Sequence, residues 1–298
     1  ASFSEHIYYA ESGEKFWCSI KIHNSGKLAA TRFQIRIGLQ YLNDYTWAKK
    51  KLAAGSSPGE ETVAFGICPK YCGLLYTDME QLKVYDYLAL FAAKKEKTEV
   101  AEIAVFPQKY ALQLQFSDLG SRAYNLQNSL PQYGQQDAQN EVRQIREYRI
   151  GDLGRHIHWN LSARTQTLWT REYERENDPG MDLVLDLTSP FKVTPAYLDG
   201  FYRVLSALLL GMLKKLTVIR VHWKENPASG SVSRRIQSEK DIRVLLFQLY
   251  QIEVYQKDSI MAEPDQFMLD LRLCWYLGDS LIYQFSREHL EEEIRQKV

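Results

Sequence analysis

The chain has 298 residues, 45% hydrophobic and 25% charged, the proportions of a soluble globular protein with room for two cores. Basic and acidic side chains balance at 37 each, so net charge gives no argument for nucleic acid, membrane surface or polyanion as partner; such a role needs a local patch. No stretch reaches the ~18 consecutive apolar residues of a membrane span.

The first residues show neither the basic start nor the apolar stretch of a signal peptide. They open inside a strand-like segment, so the sequence is expected to be a piece of a longer protein. From Phe16 to Phe116 apolar residues recur at every second position. "FWCSIKI" puts Phe16, Cys18, Ile20 and Ile22 on one face, "RFQIRIGLQY" does so with Phe33, Ile35, Ile37 and Leu39, and "ALQLQF" with Leu112, Leu114 and Phe116. With "HNSGK" and "AGSSPGEE" as turns, residues 1–116 predict an antiparallel, immunoglobulin-like β-sandwich without helices. "CPKYC" pairs Cys68 with Cys72, and no second pair or nearby histidine completes a zinc set. Reduced thiols are the expectation, and a Cys68–Cys72 disulfide the alternative.

Residues 117–140, rich in Gln, Asn, Ser and Gly, read as an exposed connection. The dense block "EYRIGDLGRHIHWNLSAR" then follows within 141–164. Beyond it, "MDLVLDL" reads as a buried strand. Thr194 and Pro195 form a helix cap and first position, ahead of Leu198, Phe201, Tyr202, Leu205, Leu208, Leu209 and Met212 at helical spacing. "TVIRVHW" is a second strand, and Ser238 caps a helix with an acid three residues on that buries Leu245, Leu246 and Leu249. Residues 263–276 read equally as strand or helix, "DSLIYQFS" as a strand, and "REHLEEEIRQKV" as a closing helix. This alternation predicts an α/β domain with a parallel sheet covered by helices, carried with the block in 141–298.

Four chemistries compete for the block. His156 and His158 form an H-x-H pair whose rings share one side of a strand, as metal hydrolases require. The other histidines, His6, His23, His222 and His289, have no ligand-like context. Arg143, Arg146, Arg149, Arg155, Arg164, Arg171 and Arg175, interleaved with Tyr148, Trp159 and Trp169, have the composition of a nucleic-acid surface. Glu141, Glu147, Asp152, Glu172, Glu174 and Glu176 alternate with them, which favours internal pairing. Ser162 lacks the G-x-S-x-G surroundings of a nucleophile. A structural turn accounts for the rest: Gly151 and Gly154 bracket Asp152, Asp152 pairs with Arg155 or caps backbone N–H groups, and Ile157 and Trp159 alternate into a core. On that reading Arg155 and Trp159 anchor the block, leaving some of Arg146, Arg149 and Arg164 for a partner.

The block resembles the signature of the bacterial family called domain of unknown function 58, R-E-Y-x-x-G-D-x-x-R-x-I-x-W-x-x-S-A-R. Arg146, Glu147, Tyr148, Gly151, Asp152, Arg155, Ile157, Trp159, Ser162, Ala163 and Arg164 match it. "DYLALF" and "VFPQ" stand where such proteins carry a D-x-F-G-L-F-like turn and a V-Y-P strand, with Ala89 in place of glycine, and "TREYERE" follows the block as their short strand does. The resemblance implies a von Willebrand factor A-like domain from "MDLVLDLTSP". In metal-binding form that domain holds a divalent cation through D-x-S-x-S. Asp186 and Thr188 fit its first positions, Pro190 breaks the last, and "IYQFS" supplies no late aspartate.

The resemblance further implies two membrane helices ahead of the sandwich and a neighbouring gene for a MoxR-type AAA+ ATPase. The expected role is a non-catalytic interaction or scaffold protein, partner of that ATPase at the cytoplasmic face of a bacterial membrane, with no nucleic acid. The alternative is a cation-dependent binding module taking Mg or Mn at Asp186 and Thr188. A metal-dependent hydrolase around Asp152, His156 and His158 comes third.

Overall fold

A computed structural model describes residues 1–298 except 27–28, 43, 45–47, 87, 97–98, 114–141, 148–157, 166, 174–179, 190, 215–217, 226–229, 253, 255–265 and 296–298. The chain forms two compact units, one of residues 1–123 with 180–298, the other of 124–179. The boundaries expected at 116–117 and 140–141 lie outside the described residues.

The larger unit begins with strands β1 (Ser2–Phe3), β2 (Ile7–Glu11), β3 (Phe16–Asn24), β4 (Ala30–Tyr41), β5 (Ala48–Ser56), β6 (Gly59–Ile67), β7 (Gly73–Tyr85), β8 (Ala92–Glu96) and β9 (Val100–Phe106). One sheet has the order β1-β3-β6; the other is β2-β9-β7-β4-β5, with β8 paired to β7. The period of two does what it predicts. Cys18, Ile20, Ile22, Phe65 and Ile67 of the first sheet bury against Phe33, Ile35, Ile37, Met79, Ile103 and Val105 of the second. The sandwich is not wholly antiparallel, because β2 and β9 pair in parallel. The intervening strands serve as the long crossover that a parallel pair needs. Leu112 is buried as expected, but it joins none of these strands; its N–H donates to the Ala207 carbonyl at 3.1 Å. Leu114 and Phe116 lie outside the described residues.

The smaller unit contains β10 (Val142–Glu147), α1 (Trp159–Thr165) and β11 (Trp169–Tyr173), with β10 and β11 antiparallel.

The chain re-enters the larger unit with β12 (Gly180–Asp186), α2 (Pro195–Leu213), β13 (Val218–Lys224), β14 (Ser231–Ile236), α3 (Glu239–Tyr250), β15 (Phe267–Asp270), β16 (Cys274–Leu277), β17 (Ser280–Gln284) and α4 (Leu290–Arg295). Thr194 caps α2 by accepting from the Tyr197 N–H, with Pro195 in its first turn. Ser238 and Asp241 form a reciprocal capping box on α3. Leu198, Phe201, Leu205, Leu208, Leu209 and Met212 are all buried, each contributing about 1.5–3 kcal/mol of apolar burial. By length and composition α2 is the one helix among the described residues apolar enough to cross a bilayer, yet most of it is buried inside this unit.

Residues 263–276, readable either way, hold β15 and β16. The sheet order is β14-β13-β12-β15-β16-β17. The expected parallel sheet is a mixed one: β13, β12 and β15 are parallel, while β14, β16 and β17 pair antiparallel. The connections into β14, β16 and β17 span residues 225–230, 271–273 and 278–279, too few for a helical crossover, which leaves antiparallel pairing open to these strands.

Sandwich and helices share side-chain contacts. The Cys72 N–H donates to Asp199 Oδ1 at 2.8 Å, and Asp199 pairs with Arg203 of α2 at 2.9 Å. Tyr250 packs edge-on to Tyr202, centroids 4.7 Å apart, and leans on Phe106 at the end of β9. Gly211 is needed where Leu112 crosses α2, because a Cβ there would lie 2.4 Å from the Leu112 carbonyl oxygen. "CPKYC" is thus structural: Cys68 is exposed, and Cys72 is buried with its thiol pushed above the ordinary range, first by burial and then by Asp199.

Candidate functional site

Two places gather the chemistry that the sequence singles out. One lies at the carboxyl ends of the parallel strands. From β12 the chain leaves through α2 to β13 on one side, and it returns through β14 and α3 to β15 on the other. Adjacent strands thus send the chain in opposite directions, and α/β sheets place their ligand crevices at such a point.

Asp186 ends β12, and its register partner on β15 is Asp270. Both are buried. Asp186 Oδ1 accepts from the Thr188 N–H at 3.0 Å and from the Thr188 hydroxyl at 2.6 Å. Asp270 Oδ1 accepts from the Cys274 N–H at 2.8 Å. Burial raises the Asp270 carboxyl above its ordinary range, and the nearby Asp186 charge adds to this against the backbone donors. Ser189, Phe191, Tyr197, Leu271 and Arg272 line the same depression. Pro190 lies outside the described residues.

Asp270 carries no local sequence signal for this place. It sits on β15, and only the pairing of β12 with β15 brings it to Asp186. A hard divalent cation takes six or more oxygens, and Mg keeps several as water. Two carboxylates and the Thr188 hydroxyl supply three. The Ser189 hydroxyl is engaged with the Phe191 backbone at 2.8 Å. Among the described residues no group of three or more His, Cys, Asp or Glu side chains is gathered for a metal. The arrangement therefore fits a water-rich, weakly held cation and not a closed cage.

The second place is the signature block. Arg146 and Glu147 lie on β10 opposite Thr170 and Trp169. Tyr148, Gly151, Asp152, Arg155, His156 and Ile157 lie outside the described residues. His158 does not sit on a strand as the H-x-H reading requires. It precedes α1, where its carbonyl accepts from the Ser162 N–H at 3.0 Å and its Nδ1 accepts from the Leu161 N–H at 3.2 Å. Ser162 is buried, and its hydroxyl accepts from the Trp169 N–H at 2.8 Å. The His158 N–H donates to the Trp169 carbonyl at 2.7 Å, so α1 is tied to β11 at both ends of one turn.

Trp159 is the principal correction. It is 64% exposed, not buried in a core. The expected alternation assumed a strand, and residue 159 instead opens a helix whose inward positions fall on Leu161 and Ser162. The anchors of this segment are Ser162 and the His158 backbone. Trp159 and Arg164, which is exposed in the last turn of α1, are left on the surface.

A family model described as "Protein of unknown function DUF58" matches residues 144–195, which include the end of β10, all of α1, β11 and β12, and Asp186 and Thr188. No curated protein matches. Among solved structures, the CARDB domain of a Pyrococcus furiosus protein, solved in complex with di-metal ions, is 12% identical with a TM-score of 0.24, covering 35% of this chain and 86% of that one. The sporulation control protein Spo0M of Bacillus subtilis is 14% identical with a TM-score of 0.18, covering 35% and 46%. Scores this low carry no inference about function. The family match falls on the segment that holds Arg146, Glu147, Trp159, Ser162 and Arg164, and over that segment the chain is similar to the DUF58 family.

Proposed function

We propose that this chain is a non-catalytic interaction protein, and that its partner is a MoxR-type AAA+ ATPase at the cytoplasmic face of a bacterial membrane. The exposure of Trp159 supports this reading. A tryptophan held in water forgoes a large apolar burial, and tryptophan and arginine are the residues enriched where partner binding concentrates. Trp159 and Arg164 lie on one short helix within the family segment, and the Ser162 and His158 hydrogen bonds fix that helix to β11. The polar groups are spent on holding the helix, and the apolar and cationic ones are offered outward. Titration of the ATPase against the chain by interferometry tests the reading, with Arg164→Ala expected to weaken binding severalfold.

The finer fold assignment, a von Willebrand factor A-like domain beside an immunoglobulin-like sandwich, is part of the proposal. The parallel trio β13-β12-β15 with an aspartate ending β12 supports it.

A second reading, a cation-dependent binding module, is favoured by one observation, the pairing of Asp270 with Asp186 beside the Thr188 hydroxyl. Mg or Mn would there be bound by Asp186, Asp270 and Thr188, and would offer its open positions to an acidic side chain of a partner. Calorimetry with either ion separates the two readings.

A further inference from the structure

β7 and β8 form a hairpin whose tip is apolar and turned to water. Leu88, Leu90 and Phe91 are 70%, 71% and 77% exposed. The tip is held together by its own hydrogen bonds. The Ala89 N–H donates to the Asp86 carbonyl at 2.9 Å and the Asp86 N–H to the Phe91 carbonyl at 3.0 Å. The Phe91 N–H donates to Asp86 Oδ1 at 2.7 Å. Ala89 adopts a φ of 55°, a left-handed conformation that side chains disfavour. A turn closed this way fixes three large apolar groups in solvent, although exposed apolar surface of this kind is normally reserved for contact.

Behind the tip lies a cluster of cations. Lys83 of β7 stands directly opposite Lys94 of β8, so both side chains share one face. Like charges in that position destabilise a sheet, and the fold gives no reason for them. The Lys83 Nζ lies 4.6 Å from the centre of the Tyr85 ring and the Arg32 guanidinium 5.3 Å from it. The Tyr85 hydroxyl is held below its ordinary range by a hydrogen bond with Lys83, then by the charges of Lys83, Arg32 and Lys94. Of the nearby acids, Asp86 is bonded to the Phe91 N–H, and Glu96 stands opposite Gln81, two residues further from the tip than Lys94.

We propose that this hairpin dips into the surface of an anionic lipid bilayer, with Leu88, Leu90 and Phe91 entering the headgroup–acyl boundary and Arg32, Lys83 and Lys94 meeting lipid phosphates. The order of polarity along the hairpin favours a bilayer over a protein groove. Lys94 follows Phe91 by three residues of extended chain, roughly 10 Å at about 3.3 Å per residue. Interfacial elements bury their apolar part about 5–10 Å deep, which sets these cations at the phosphate level. The inference shares with the proposed function only a location at a membrane face, and it needs no ATPase.

Flotation of the 298-residue chain with vesicles tests it. The chain is expected to float with mixed phosphatidylglycerol–phosphatidylcholine vesicles and not with phosphatidylcholine alone. The double change Leu90→Ser, Phe91→Ser should cut binding about tenfold or more. Lys83→Glu with Lys94→Glu should do the same, and added salt should weaken the parent. Leu90, Phe91 and Lys94 are exposed and Lys83 is half-buried, and circular dichroism of each variant is the check that it folds. In Phe91→Trp, the added tryptophan emission, taken as a difference from the parent, should shift to the blue on anionic vesicles. A parent that fails to float, tip variants that float as well as the parent, or a blue shift seen only with a protein partner would each overturn the proposal. Because no ATPase is present, failure here leaves the proposed partner untouched.

Discussion

Replacing Asp182 by asparagine probes the electrostatics of the sheet beneath the strand-end site. Asp182 Oδ1 accepts from Arg220 Nε at 2.8 Å, its Oδ2 from Arg220 Nη2 at 3.3 Å, and Oδ1 lies 3.0 Å from His222 Nε2. Its side chain is 12% exposed, so water screens this cluster little. Burial alone would raise the carboxyl, but the hydrogen bonds from His222 and Arg220, and then their charges, outweigh it and bring Asp182 from 3.8 down to about 2. A pKa lowered on folding stabilises the native state. At about 1.4 kcal/mol per tenfold change, this carboxylate contributes about 2 kcal/mol at neutral pH. The contribution is complete above the unfolded value and is lost as pH falls toward the folded one. Asp182→Asn should therefore lower the Tm by roughly 4–8 °C at pH 7, and the gap to the parent should close between about pH 4 and pH 2. Calorimetric melts across that range measure it. Equal Tm values at pH 7, or a gap that stays constant to the acid end, would refute the reasoning.

Three further expectations concern other parts of the larger unit. Gly211→Ala should destabilise by about 1–3 kcal/mol, since the new Cβ would meet the Leu112 carbonyl oxygen, and an unchanged urea midpoint would contradict the crossing described. Asp270→Asn should raise the Tm at neutral pH, because it removes a buried charge beside Asp186 yet can keep the Cys274 N–H bond; the raised Asp270 pKa means that the gain should fade as acid protonates the parent carboxyl. Lost stability in that variant, appearing only when Mg or Mn is present, would instead promote the cation reading. Asp186→Ala should leave calorimetric Mg or Mn binding unchanged because the parent itself binds weakly, and a micromolar affinity abolished by the change would reverse this.

What could be read in advance was local. The caps at Thr194 and Ser238 and the buried positions of α2 follow from a few adjacent residues, and the structure places each where the spacing puts it. The alternation in β3 and β4 likewise marks the faces that meet in the sandwich core. What escaped was set by partners far along the chain. Asp270 becomes part of a site only because β15 pairs with β12, and β2 pairs with β9 in parallel only because the strands between them bring the chain back. Trp159 failed for a different reason. The chain turns helical at that residue, so a period of two no longer applies and the side chain falls on the surface. The tip at Leu88, Leu90 and Phe91 sits in the stretch "DYLALF", which the resemblance marks as a turn without showing that its apolar side chains face water.

The central claim is that Trp159 faces a partner and not a core. The affinity of the chain for the MoxR-type ATPase, measured for the parent and for Trp159→Ala with the Tm of each, tests it most directly. A change of less than about 0.5 kcal/mol in stability is expected for so exposed a side chain, together with binding weakened tenfold or more. Binding equal to the parent's, or a sharp fall in Tm, would contradict the account.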